Sequence, residues 1–174
     1  MVLAMVIVLS VASVAFADIS LTVNAVEGHS YKYWQLFVGD LADDGKTLSN
    51  VKWGSNAAAS IPYKKASGSN EFTVDATIAP TTGAAVPAAV LEYLASLASD
   101  TLATANTITA WVTGNGTAIG DNTEVPTGYY VIKDSYTDPS VAHDTTLSTN
   151  VVEIVGPTQI TPKAGTFKAT VTAK

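Results

Sequence analysis

Side chains able to run a reaction are sparse in this 174-residue sequence, and they do not converge. His29 and His143 stand apart in polar stretches, and two separated histidines do not make a zinc ligand set. Serine is abundant, but no Gly-x-Ser-x-Gly elbow offers a nucleophile to the His143-Asp144 pair. There is no cysteine, which excludes thiolate metal sites and cysteine nucleophiles. Asp40, Asp43 and Asp44 gather carboxylates around Gly45, but not at the alternate-residue spacing of a calcium loop. A hairpin turn is expected there. Gly114-Asn115-Gly116 lacks the third glycine and the following helix of a phosphate loop, and reads as a turn. Trp34, Trp53 and Trp111 would stack on sugars if exposed; their strand contexts favour the core. The expectation is a protein with no catalytic residue, no metal site and no cofactor.

The elements that carry these residues read as mainly β. Alternating apolar and polar residues predict strands over Ile19 to Val26, Tyr31 to Leu41, Thr47 to Trp53 and Glu71 to Ile78. In the second of these, Tyr31, Tyr33, Gln35 and Phe37 share one face, and Trp34, Leu36 and Val38 the other. Gly54 to Asn70 reads as loop with room for one short strand. From Ala88 to Ala103 apolar residues recur at three- and four-residue steps, predicting one amphipathic helix with Pro87 at its start. Further strands are expected over Thr107 to Thr113, Gly128 to Lys133, Leu147 to Val155 and Thr158 to Thr161, with a turn-rich loop from Gly114 to Pro126. Many short strands with one inserted amphipathic helix fit an immunoglobulin-like β-sandwich.

The first 17 residues carry no charge and end in Ala15-Phe16-Ala17, the small-residue pattern of a signal-peptidase site. The alternative is a membrane anchor. That would need about 20 apolar residues, whereas this run is interrupted by Ser10 and Ser13 and stops at Asp18. The domain reading is a signal peptide over 1–17, one domain over 18–163, and a linker with the first strand of a further domain over 164–174. Net charge is −6, and the nine basic residues are scattered. They form no stripe for phosphates, so neither nucleic acid nor an anionic membrane surface is an expected partner. A low charge content of 14% and abundant Thr, Ser, Ala, Val and Gly suit an exported β-protein.

Several motifs carry a resemblance. They are Gly28 and Tyr31, Phe37-Val38-Gly39-Asp40-Leu41, Asp44-Gly45, Leu48-Ser49-Asn50-Val51 and Trp53-Gly54. Pro126-Thr127-Gly128-Tyr129-Tyr130-Val131-Ile132-Lys133-Asp134 and the closing stretch Val151 to Lys163 follow in the same order. Together they resemble the N-terminal domain of clostridial-type fimbrial subunits, the isopeptide-forming domain-containing fimbrial proteins of Gram-positive bacteria. The resemblance implies a structural subunit of a covalent surface pilus, with other pilin subunits and a class C sortase as partners and a host glycan or host protein as ligand. A carbohydrate- or host-binding adhesin module of the same fold is the alternative. In such pili the sortase joins the C-terminal threonine of one subunit to a lysine of the next, within a Tyr-Pro-Lys motif. The matching residues are Thr161-Pro162-Lys163, with Thr in place of Tyr. Lys163 is the candidate acceptor; the alternative is an ordinary solvated lysine in a linker.

The resemblance also raises internal Lys–Asn isopeptide bonds, which need a buried lysine beside an asparagine and a proton-shuttling carboxyl group. Lys32, Asn150 and Glu153 are the candidates in this domain. Lys168 matches a bond-forming lysine of a following domain, and its partner would lie beyond residue 174. The Leu-Pro-x-Thr-Gly sorting signal is absent from the sequence, so the expectation is a piece of a longer product or a degenerate copy.

Overall fold

A computed structural model describes residues 18–68, 71–136 and 148–162. Among them the chain is mainly β, with several antiparallel sheets arranged as a sandwich. The strands are β1 (Ile19–Val23), β2 (His29–Leu41), β3 (Leu48–Trp53), β4 (Ile61–Ser67) and β5 (Glu71–Ile78). Two helices follow, α1 (Ala88–Leu97) and α2 (Thr101–Ala110). Then come β6 (Thr117–Ala118), β7 (Thr123–Val125), β8 (Gly128–Tyr136), β9 (Thr149–Ile154) and β10 (Thr158–Ile160).

The larger sheet has the order β3-β2-β8-β9, with β6 also on β2; the smaller has the order β10-β1-β7. The first strand and the closing strand lie side by side and parallel, Leu21 opposite Thr158 and Val23 opposite Ile160. Alternation sorts the side chains of β8 to two cores. Tyr130 and Ile132 join Ile19, Leu21, Val125, Ile154 and Ile160 between the two sheets. Tyr129 and Val131 join Phe37, Trp53, Ile61, Val90, Leu94, Ile108 and Trp111, where the helices and the β4–β5 hairpin cover the other face. Each of these fully buried apolar side chains contributes about 1.5–3 kcal/mol by leaving water.

Strict alternation fails at one point in β2. The register with β8 shifts between Gln35 and Phe37, an irregularity of the β-bulge kind, with one extra residue on one strand. Phe37 therefore lies on the side of Trp34, with Leu36, and not with Tyr33 as alternation predicts. The irregularity also receives the chain after β3. Gly54 N–H donates to the Leu36 carbonyl at 2.7 Å, and a Cβ on Gly54 would stand 2.5 Å from the Gln35 carbonyl oxygen.

Two other expectations are corrected. The predicted single helix is two, because Asp100 starts a second one: its Oδ1 accepts the N–H groups of Leu102 and Ala103, both at 3.0 Å. The predicted strand Thr107 to Thr113 belongs to α2 as far as Ala110. Its β-branched residues suit a strand, but burial of Thr104 and Ile108 at a four-residue step holds it helical. The one strand that Gly54 to Asn70 had room for is β4, seven residues long and paired antiparallel with β5.

Candidate functional site

At one end of the sandwich β1 finishes, β2 begins, β8 finishes and β10 runs out, as the pairings Val23–Ile160 and His29–Tyr136 require. There the closing strand is held to the β1–β2 connection. Asn24 N–H donates to the Ile160 carbonyl at 2.9 Å, and Asn24 Nδ2 donates to Thr161 Oγ1 at 3.0 Å. Thr161 is exposed and Pro162 is buried, so the backbone is fixed through Pro162. Lys163 is the next residue and lies outside the described residues, as do Lys168, the expected strand Thr166 to Thr172, the His143-Asp144 pair and the first 17 residues.

The same end buries a pair that sequence reading left apart. His29 Nδ1 lies 3.3 Å from Asp134 Oδ2, with side-chain exposures of 2% and 3%. Asp134 also accepts the backbone N–H of Ser148 at 2.6 Å and its hydroxyl at 3.2 Å. The carboxylate thus ties β8 and the start of β9 to the head of β2. The His29 ring packs against Tyr31 and edge-on to Tyr136.

The residues considered for an internal isopeptide bond do not meet. Tyr33, Ile132 and Asn150 form one row across the larger sheet, and Lys32, Lys133 and Thr149 the adjacent row. Neighbouring residues along a strand face opposite sides, so Lys32 and Asn150 are on opposite faces. Glu153 shares the face of Lys32 but sits opposite Tyr129, four residues along β9, about 13 Å at 3.3 Å per residue. Glu153 is half-buried, and burial raises its pKa above the ordinary carboxylate range; the Tyr129 hydroxyl offsets part of this, and the nearby Asp44 charge adds to it. Burial likewise pushes the Tyr129 phenol up, reinforced by Glu153.

The acidic turn is structural. Asp44 Oδ1 accepts the N–H groups of Lys46 and Thr47 at 2.9 and 3.0 Å, and its Oδ2 accepts the Thr47 hydroxyl at 2.8 Å. Asp40 Oδ2 accepts from Asn50 Nδ2 at 2.8 Å. Among the described residues no group of three or more His, Asp or Glu side chains could hold a metal ion, and no helix is long and apolar enough to cross a membrane. Trp53 and Trp111 are core residues, each 1% exposed. Trp34 is half-buried: its Nε1 donates to the Gly114 carbonyl at 2.9 Å, and Lys133 Nζ stands 5.0 Å from its ring centre. Gly116 lies against that ring, where a Cβ would come within 2.6 Å.

A depression of about 230 Å³ that no sequence motif announces lies where β4 meets the two helices, lined by Pro62, Tyr63, Lys64, Asp75, Tyr93, Thr107, Ala110 and Trp111. Phe72, Tyr93 and Trp111 form a row of rings, successive centres 6.2 Å apart. On the rim Lys64 Nζ donates to Asp75 Oδ1 at 2.7 Å. These two residues are direct cross-strand partners. Pairing β5 with a strand in the stretch just before it brings them together.

Comparison with protein-family models, with curated proteins and with solved structures returned no match for this chain.

Proposed function

We propose that this chain is an exported structural subunit of a covalently polymerised surface pilus, with Lys163 as the amine through which the next subunit is joined. The observation that carries the reading is the path of the closing strand. β10 is clamped beside β1, Asn24 holds Ile160 and Thr161, and Pro162 is buried. An acceptor amine immediately after such an anchor is attached to a stiff stem, because proline fixes φ and the neighbouring backbone is already bonded. Stiffness matters because a positioned nucleophile reacts with less loss of freedom than a mobile one.

The chemistry belongs to the partner enzyme. The acyl group of the donor subunit is held as a thioester on the sortase. The Lys163 amine, once deprotonated, attacks its carbonyl carbon; the C–N bond forms, the C–S bond breaks, and the thiolate leaves. A free lysine has a pKa of about 10.4, so the enzyme supplies the base. The immunoglobulin-like character of the sandwich is part of the same proposal. It is supported by the Tyr130 hydroxyl, which donates to the Pro126 carbonyl at 2.7 Å in the manner of the tyrosine corner of Greek-key sandwiches.

The test is reconstitution. The full-length chain mixed with a class C sortase and a donor subunit is expected to give an adduct whose branched peptide, by mass spectrometry, contains Lys163. Lys163→Ala should abolish it. An adduct that persists in that variant, or one mapped to another lysine, refutes the assignment.

A further inference from the structure

The depression between β4 and the helices has the makings of a binding site. Its volume, about 230 Å³, lies below the roughly 300–1,000 Å³ of sites for drug-sized ligands. It admits one ring-sized group. The accessible wall is the half-buried Tyr93 ring with Pro62 and Ala110 beside it, over a floor of the buried Tyr63 and Trp111. Aromatic faces carry negative quadrupole density and attract C–H bonds polarised by neighbouring oxygens.

The rim sets the polarity of the guest. Lys64 Nζ uses one of its three protons on Asp75 Oδ1. The other two protons, and Asp75 Oδ2, make no further hydrogen bond among the described residues. The Lys64 and Asp75 side chains are 44% and 89% exposed, so both remain within reach of a ligand. Tyr93 and Thr107 each add a hydroxyl-bearing residue to the lining. The paired charges sum to zero. A singly charged ligand would have to break that pair, and an apolar one would desolvate it without compensation. A neutral ring with apolar faces and hydroxyl groups around its edge satisfies both walls and rim: the hydroxyls donate to Asp75 and accept from Lys64.

From this geometry we infer that the depression walled by the Tyr93 ring and rimmed by Lys64 and Asp75 is a carbohydrate subsite for a single neutral pyranose ring. It gives the adhesive side of a surface subunit a specific ligand class, and it is independent of linkage through Lys163.

The test is a titration of the ¹⁵N-labelled full-length chain with the methyl glycosides of glucose, galactose and mannose, followed by amide shifts. At least one sugar should give saturable shifts centred on Lys64, Asp75, Tyr93, Thr107 and Ala110, with a Kd on the order of 1 mM, as a single small site allows. Asp75→Ala should weaken that binding about tenfold. Because Asp75 is so exposed, the rest of its spectrum should stay unchanged and report an intact fold. Tyr93→Phe keeps the ring and should retain most of the affinity. The inference is overturned by absence of saturation with all three sugars into the tens of millimolar, by shifts centred elsewhere, or by unchanged affinity in Asp75→Ala. Lys163→Ala should bind sugar as the parent does, and Asp75→Ala should still be linked by sortase, so failure of either proposal is seen separately.

Discussion

The Nδ1 atom of His29 lies 3.3 Å from Oδ2 of Asp134, at the sandwich end from which the closing strand runs out. The two residues are 105 positions apart, and the contact joins the first residue of β2 to β8. Asp134 also satisfies Ser148, just before β9. One carboxylate therefore fixes three chain segments. Asp134→Ala would strip the imidazole and the Ser148 N–H of their acceptor in a buried place, at a cost of about 1–3 kcal/mol. Urea denaturation should show the midpoint falling with the slope unchanged. A loss under about 0.5 kcal/mol would mean that the contact stabilises nothing.

Gly128 opens β8, and a Cβ there would lie 2.1 Å from the Phe37 carbonyl oxygen, a backbone atom in the adjoining strand. Thr127 beside it donates its hydroxyl to the Gly39 carbonyl, which leaves the pair little room to part. Gly128→Ala should destabilise by about 1–3 kcal/mol or more, as overpacking does. An unchanged thermal midpoint would show that β2 moves away freely.

The start of α2 gives a third prediction. Asp100 caps it through two N–H groups, and removal of such a cap costs about 0.5–2 kcal/mol. Asp100→Ala should lower stability by that amount, with Asp100→Asn retaining most of it. Equal losses in both variants would assign the effect to charge and not to the acceptor oxygen.

Much of the β framework was legible because alternation survives wherever one face is buried. Glu71–Ile78 was read at its observed ends, and β1, β3, β8, β9 and β10 differ from expectation only at their limits. What sequence could not supply came from long-range contacts. The irregularity in β2 depends on Gly54 approaching Gln35, which no local pattern records. Thr107 to Ala110 looks like strand until Asp100 and the burial of Ile108 are known. The row Phe72–Tyr93–Trp111 draws one ring from a strand, one from a helix and one from the end of the next helix, a grouping that no spacing announces. Lys163 is named by motif alone; the anchoring of the preceding Thr161 by Asn24 is visible only in the fold.

Glu153 and Tyr129 give the last prediction, in pH. Burial raises the Glu153 pKa in the folded state, ahead of the opposing effect of the Tyr129 hydroxyl. The unfolded value is about 4.3. A group whose folded pKa is raised contributes stability that is fully present below the unfolded value and is lost as pH rises through the folded one. Glu153 therefore opposes folding at neutral pH, where it must stay charged while partly out of water. Asp44 works in the opposite sense: hydrogen bonds from the Lys46 and Thr47 amides and the Thr47 hydroxyl lower its pKa, so its contribution is lost as pH falls. Comparing Glu153→Gln with the parent at each pH cancels that second slope. The glutamine keeps an acceptor for Tyr129 and never ionises. It should melt at a higher temperature than the parent at pH 7, and the gap should close as pH falls toward 4. A gap that stays constant with pH would show that the effect is packing, and a less stable glutamine variant at pH 7 would show that the Tyr129 contact outweighs the cost of burying the charge.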